Sequence, residues 1–598
     1  MTPNLDLWLI GNCQVSALID RRAAIVWGCV PRVDGEPIFS SLLSEPTSDH
    51  DIGKGSWIIE IDGCKSIRQV YRKNTPILVS TFEDAAGNIM EVIDFCPRRQ
   101  RLGRIYRPTA FARILRPLKG APRIQMKLRP TYAYGAAEAA HTFGSNHIRY
   151  VLDRESYRLT TDAPVSLIGD QLYFRLEKPL HFFFGPDETF DEEINGALER
   201  MLQETETEWK MWTRGLAIPP DWQDEVIRAA ISLKLCQHEE TGAIVAAITT
   251  SIPEHGDSER NWDYRYCWIR DAYYTVQALN RIGALDVLEG FLGFLRNIVE
   301  FSGEGHIQPV YTVLGEPNLC ERTEVGLNGY RGLRPVRVGN QAYKQIQNDV
   351  YGQIILSNVQ AFIDQRLFRI SDLSDFDALE RVGEQAYLSF DKKDSGLWEF
   401  RTKRFVHTYS TAMCWAACDR LSHTAKNLGL SQRADFWHER AQHIRHYIEK
   451  GAWRPDDNSM SATIDGNHLD ASLIQLLDLQ FFDSEDPRFQ GTLKAIEDKL
   501  RRNSFMLRYA TEDDFGMPKT AFNFCTFWLI EALHKVGRTV EARSLFEEML
   551  SRRSMAGLLS EDIDPMTGEL WGNYPQTYSL SGLINCALQL SRPWSDIR

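Results

Sequence analysis

Nowhere does the chain approach the uninterrupted apolar run that a bilayer-spanning helix needs. Its opening segment, MTPNLDLWLIGNCQV, has no basic start followed by an apolar stretch, the pattern of a secretory leader. Positive charge is also short: 68 lysines and arginines face 81 aspartates and glutamates, a net of -13. That balance argues against nucleic acid or anionic lipid as the main partner, because both demand a basic face. The eleven cysteines are odd in number, scattered, and without CxxC or Cys–His spacing. They read as reduced, mostly buried thiols, which excludes a disulfide frame and a zinc site as organising devices. These absences lead us to expect a cytoplasmic protein with no metal and no cofactor.

Apolar residues make up 43% of the sequence and charged residues 25%, the proportions of a globular protein. At 598 residues the chain exceeds one ordinary core, and two large domains are expected. Fifteen tryptophans are more than usual. Most such rings pack in cores, but flat rings also stack on the apolar faces of sugars.

Residues 1–187 are punctuated by short runs of β-branched and aromatic residues between Gly, Pro, Asn and Asp turns: SWIIEIDG, TPILVSTFED, IMEVIDF, YRLTT, VSLIG and LYFRLEKPLHFFFGP. That spacing predicts an antiparallel β-sandwich. Residues 188–221 turn charged and helix-forming and stop at Pro219-Pro220, which reads as a helical linker. From 222 to 598 the period is helical. Twelve segments are expected, at about 222–238, 268–282, 284–302, 341–364, 374–391, 407–427, 431–450, 469–479, 486–502, 520–536, 539–551 and 577–590, with Gly537 capping the tenth.

The connections alternate in weight. Two, six and ten are short (RIGAL, NLGL, VGRT), four and eight are moderate, and one, three, seven, nine and eleven are long. The fifth, DSGLWEFRTKRF, is intermediate in length but rich in aromatics and charge. In an up-and-down array the odd connections share one end. Twelve helices so arranged predict an (α/α)6 toroid, six inner and six outer, with a pocket at the elaborated end.

That end collects Trp262, Asp263, Tyr264, Trp268, Arg270 and Asp271 from connection one, and Trp398, Glu399 and Arg401 from connection five. Connection nine adds Arg508 and Tyr509; connection eleven adds Glu561, Asp562, Asp564, Glu569 and Trp571. Rings for stacking, Arg–Asp pairs for hydroxyls and carboxylates from separate loops make a carbohydrate site. Glycosidic hydrolysis needs a protonated acid at the leaving oxygen and a second carboxylate. Glu399 beside Trp398 fits the first role if apolar surroundings raise its pKa. Plainer readings exist: Glu399 as a solvated cap, Asp564-Pro-x-x-Gly568 as a turn, Arg270-Asp271 as a helix-start pair, Met506 and Phe522 as core.

The stretches NWDYRYCWIRDA, GLWE, FNFCTFWLIEAL after LRY, and LLSEDIDPMTGELWGNYPQTYS resemble glycoside hydrolase family 15, the glucoamylase and bacterial trehalase family. LIGNCQVSALIDRRAAIVWGCVPRVDGEPIF is similar to the N-terminal sandwich of its bacterial members, so the likeness runs along the whole chain. The resemblance implies an inverting exo-hydrolase releasing β-glucose from non-reducing ends of α-linked gluco-oligosaccharides, with trehalose or isomaltose-type links as the alternative. It implies Glu399 as general acid and Glu561 as general base. Arg270 and Asp271 would hold the terminal glucose, with Tyr264 and Trp268 beside them, and Trp398, Arg508, Tyr509 and Trp571 complete the expected substrate contacts. Two positions depart from the family pattern: Gln353 in NDVYGQ, often a glutamate, and Asp562 in SED, commonly a glutamine. A disaccharide phosphorylase would need the acid but not the base, and a catalytically silent sugar-binding protein neither; the presence of both favours hydrolysis.

Overall fold

The computed structural model describes residues 4–44, 53–153, 155–303 and 305–597. The N-terminal part is two antiparallel sheets. One has seven strands, running Trp8–Gly11, Ser16–Ile19, Ile25–Val30, Ser56–Ile61, Arg123–Arg129 and Phe174–Arg175, with Glu36–Phe39 on Ile25–Val30. The other has eight, ordered Ala140–Phe143, His147–Val151, Ser156–Thr161, Leu180–Pro186, Phe111–Lys119, Ile89–Phe95, Leu78–Asp84 and Cys64–Tyr71. Leu78–Asp84 buries every second residue, as a strand with one face on a core must. Phe39, Trp57, Phe111 and Phe184 meet between the sheets. A fully buried Arg113 is tolerated there because Asp94 Oδ1 accepts from its Nε at 2.6 Å and the Trp57 carbonyl from Nη1 at 2.8 Å.

Two of the expected strand runs fold differently. VSLIG is a short helix, α1 (Val165–Gly169): Pro164 precedes it with the fixed φ that starts a turn, and the amides of Leu167 and Ile168 donate to the Pro164 carbonyl. LYFRLEKPLHFFFGP splits into two strands in different sheets, Phe174–Arg175 and Leu180–Pro186, with Pro179 between them unable to donate to a ladder. Beyond them α2 (Ile194–Arg214) lays Ile194, Leu198, Met201 and Leu202 on Ile93, Phe95, Ile114 and Phe183 of the eight-stranded sheet.

Among the described residues the helical part has twelve helices, one in each predicted span, with those expected at 341–364 and 469–479 much shorter than expected: α3 (Gln223–Leu235), α4 (Ile269–Arg281), α5 (Leu285–Ser302), α6 (Asp349–Asn358), α7 (Leu373–Ser389), α8 (Thr408–Asn427), α9 (Ser431–Ala452), α10 (Gln475–Asp478), α11 (Pro487–Leu500), α12 (Asn523–Lys535), α13 (Thr539–Ser551) and α14 (Thr577–Leu590). Their packing closes a ring. Helices α4, α6, α8, α10 with the 3-10 turn Ala471–Ile474 before it, α12 and α14 touch in succession, and α14 returns to α4. Nearly every residue of α4, α12 and α14 is buried, whereas α5, α9 and α13 bury one stripe, which is the difference between inner and outer helices. This is an (α/α)6 toroid. Gly537 closes α12 at φ 88°: its amide donates to the His534 carbonyl, and that of Arg538 to Leu533. No helix among the described residues is long and apolar enough to cross a membrane.

Each odd connection leads into the N-terminus of an inner helix, so the elaborated loops and six helix starts share one end of the ring.

Candidate active site

A pocket opens at that end, lined from connections one, three, five, nine and eleven. The structure brings Tyr264, Trp268, Arg270, Asp271, Trp398, Glu399, Arg508, Tyr509 and Glu561 to its wall. Trp571 does not line it. Its ring stacks near His255 and meets Tyr330 edge-on, with the Arg331 guanidinium 5.0 Å from its centroid. Asp564 makes the plain turn: Gly568 donates to its carbonyl at 2.8 Å and Met566 to its carboxylate.

Glu399 sits in a tight turn, at the left-handed φ of 59°, a conformation costing a non-glycine residue about 1–3 kcal/mol. Gly396, at φ 65°, opens the turn; a Cβ there would lie 2.7 Å from the His407 ring. The carboxylate does not meet the apolar surroundings expected from Trp398. Its Oε1 accepts from Trp268 Nε1 at 2.7 Å, Arg270 Nη2 at 2.9 Å and Gln347 Nε2 at 3.1 Å, and a quarter of the side chain is exposed. Trp398 instead donates its Nε1 to Asp470 at 2.8 Å and sets its ring against Tyr509 and Phe522.

Arg270 is a hub and not a helix cap. Besides Glu399 it reaches Asp349 at 3.2 Å, Gln347 Oε1 at 2.6 Å and, through Nε, the Tyr578 hydroxyl at 2.8 Å. Gln353, one of the two departures from the family pattern, donates to Asp349 at 2.6 Å behind this hub. Asp271, one residue on, is buried at the pocket wall. Burial pushes its carboxyl up to about 7, with Arg270 opposing and the charge of Glu399 adding.

Glu561 faces the pocket from connection eleven. Its backbone is pinned on both sides, its amide donating to Asn573 and its carbonyl accepting from Asn523 at 3.0 Å. Tyr264 donates its hydroxyl to Oε1 at 2.6 Å. Gly572 lies so close that a Cβ would stand 2.8 Å from Oε2, so only glycine leaves that oxygen free. Burial, then the charge of Glu254, raises the Glu561 carboxyl, while Tyr264 and Arg508 pull the other way.

Sequence reasoning missed Glu254, Gln347, Asp349 and Tyr578. Glu254 precedes the motif in an unpatterned stretch; its carboxylate is gripped by Arg508, which thereby spends one arm on protein. Tyr578 and Asp349 stand in the first turns of α14 and α6, and their place at an inner-helix start was the available signal. Glu254, Glu561 and Asp562 bring acid oxygens within 4.8 Å of one another. Arg508 already supplies a cationic partner there, and we assign no ion to the group.

The pocket is bounded by a loop tied down at several points. Asp514 accepts from the Arg401 amide and the Thr402 side chain, and Asp513 pairs with Arg260 at 2.6 Å. The guanidinium groups of Arg401 and Arg337 lie 3.9 and 4.3 Å from the centroid of the Trp262 ring.

The family model described as Glycosyl hydrolases family 15 matches residues 221–588. A trehalase of Thermoplasma volcanium is 30% identical over 97% of this chain and 92% of its own length. That of Thermoplasma acidophilum is 31% identical over 96% and 98%, and that of Mycobacterium tuberculosis 29% over 99% and 90%. Among solved structures, a bacterial glucoamylase complexed with acarbose superposes with a TM-score of 0.68 over 98% of this chain and 93% of that one, at 13% identity, a likeness of fold.

Proposed function

The chain belongs to glycosyl hydrolases family 15 and is a glycoside hydrolase, and from that premise we propose that it splits α,α-trehalose by single displacement with inversion. The observation that carries the choice of substrate is the end-to-end likeness, at about three residues in ten, to relatives named trehalase. The tied-down loop at the pocket rim supports a short substrate over a polymer end.

In this reading Glu399 is the general acid. Its Oε1 is held by Trp268, Arg270 and Gln347. Oε2 carries the proton to the glycosidic oxygen. Glu561 is the general base: Tyr264 and the clamped backbone aim it at a water on the opposite face of the ring. Arg270 and Asp271 hold the glucose being attacked, and the rings of Trp398 and Tyr509 offer it apolar faces. As water adds to the anomeric carbon, Glu561 takes its proton, the C–O bond breaks, and the leaving sugar takes the proton of Glu399.

The stereochemistry tests this. Inversion of trehalose yields one β-glucose from the attacked ring and one α-glucose from the leaving ring, which keeps its configuration; retention yields two α-glucoses. Proton NMR before mutarotation should therefore show equal early amounts of both anomers, in buffer without phosphate. Early α-glucose alone overturns the mechanism, and faster glucose release from maltose, isomaltose or starch overturns the substrate.

A further inference from the structure

At the pocket wall three carboxylates crowd together, Glu254 and Glu561 among its lining residues and Asp562 next to the latter in sequence. Glu254, Glu561 and Asp562 are each at most 3% exposed, with acid oxygens within 4.8 Å of one another. Their partners are unequal. Glu254 holds the Arg508 guanidinium, and Arg260 stands farther off at 3.8 Å while pairing with Asp513. Glu561 has the Tyr264 hydroxyl. Asp562 has the Thr520 hydroxyl on Oδ1 at 3.1 Å, and its Oδ2 is buried without a donor. An ionised oxygen so placed is unfavourable twice, through the unmade hydrogen bond and through repulsion from two like charges. A proton on Oδ2 lowers both costs, because it removes the charge and makes the oxygen a donor beside two carboxylates.

We propose that Asp562 is held in its acid form and that its Oδ2–H, donated into the cluster, keeps Glu561 ionised and in place. Asp562 is thus a positioning residue for the base, and the inference rests on the reading of Glu561 as that base. The partners decide which carboxyl takes the proton: Glu561 has a hydroxyl donor at 2.6 Å and Glu254 a guanidinium, whereas Asp562 Oδ2 has neither. The wider surroundings agree. Arg508 is the cation acting on Asp562, against Glu254 and Glu561, and burial leads these charges in raising its carboxyl well above the usual range. Asp271 adds negative charge from α4 toward Glu561, and Cys525 on α12 is a buried thiol whose own pKa is raised well above normal, so it is neutral. Once Asp562 is neutral, Glu561 no longer feels its charge, and a single proton relieves the cluster.

The direct test is infrared difference spectroscopy of the whole enzyme near neutral pH, wild type against Asp562→Asn. A carbonyl stretch of a protonated carboxyl, present in the wild type and missing in the variant, is expected; no such difference overturns the proposal. The pH profile of kcat gives a second readout. Asp562→Asn replaces one neutral donor by another, so kcat falls about threefold while the acid limb stays within about a third of a pH unit. Asp562→Ala has no donor, so its acid limb should rise by about one unit, with a loss of about ten- to a hundredfold in kcat below it. Were Asp562 ionised, both substitutions would delete a negative charge and move the limb down by about one unit or more, which refutes the idea. Glu561→Gln separates the two readings: full activity there sinks the base assignment, whereas a carbonyl band that survives in it reports on Asp562, and a band lost there overturns the placing of the proton.

Discussion

Tyr264→Phe isolates the hydrogen bond on which Glu561, the proposed base, depends. The hydroxyl donates to Glu561 Oε1 at 2.6 Å, while the ring packs edge-on against Trp268 at 5.5 Å between centroids. Phenylalanine keeps the ring contact and removes the donor. A hydrogen bond to an ionised acceptor is worth about 1.5–3 kcal/mol, and each pKa unit is about 1.4 kcal/mol. The Glu561 carboxyl should therefore rise by about one to two units. The sign follows from the direction of the bond: Tyr264 favours the charged form, its loss disfavours that form, and a general base works only when charged. Burial and Glu254 have already raised Glu561, so the shift carries its titration further up into the working range. The acid limb of kcat/KM for trehalose should move to higher pH by about one to two units. Activity below that limb should drop about ten- to a hundredfold, and the loss should shrink on the plateau above it. The assay is kcat/KM across the pH range, with melting temperature as a control for folding. A uniform loss with an unmoved limb would mean that the hydroxyl touches sugar and not the base; a downward shift would refute the reasoning outright.

Glu399→Gln should lower turnover of trehalose by about a hundred- to ten-thousandfold while sparing α-glucosyl fluoride, whose leaving group needs little protonation; equal losses on both would remove Glu399 as proton donor. Asp271→Asn should cost about ten- to a hundredfold in kcat/KM through lost charge-assisted bonds to sugar hydroxyls. Its folded carboxyl is raised to about 7, so the stability it contributes is greatest at low pH and is lost as pH rises through that value. The amide should accordingly match or exceed wild-type melting temperature in alkaline buffer, and a collapse there with activity retained would make Asp271 structural. Glu239, between Lys234, Arg98 and Arg107 at the join of sandwich and toroid, is held well below the usual carboxylate range by those cations against its burial. Its contribution is full above its ordinary value and fades as pH falls through the lower folded one. Glu239→Gln should cost about 3–5 kcal/mol and flatten the acid-side fall of melting temperature; an unchanged melting curve would contradict this.

Periodicity and punctuation determined much of the architecture. Helical spacing placed all twelve toroid helices, because an inner or outer helix must bury a face and that face repeats along the chain. Loop weights located the pocket end for the same local reason, and the long motifs carried Glu399 and Glu561. VSLIG was misread because five residues hold too little period to separate strand from helix once a proline sets the first turn. Tertiary structure alone decided the chemistry of the site. Tyr264 and Glu561 stand 297 residues apart, Arg270 and Tyr578 308, and Arg508 and Glu254 254, yet each pair is one hydrogen bond. Glu399 was expected among apolar rings because Trp398 is its neighbour in sequence; ring closure turned Trp398 toward Asp470 and brought three donors to the carboxylate instead. Trp571 belongs to the same motif as Glu561, but its ring faces His255, Tyr330 and Arg331 and not the pocket. The crowding of Asp562 against Glu254 arises only when connections one and eleven meet. Burial faces are written in local spacing, whereas the charge around a carboxyl depends on which distant segments the fold packs against it, and no spacing along the chain encodes that.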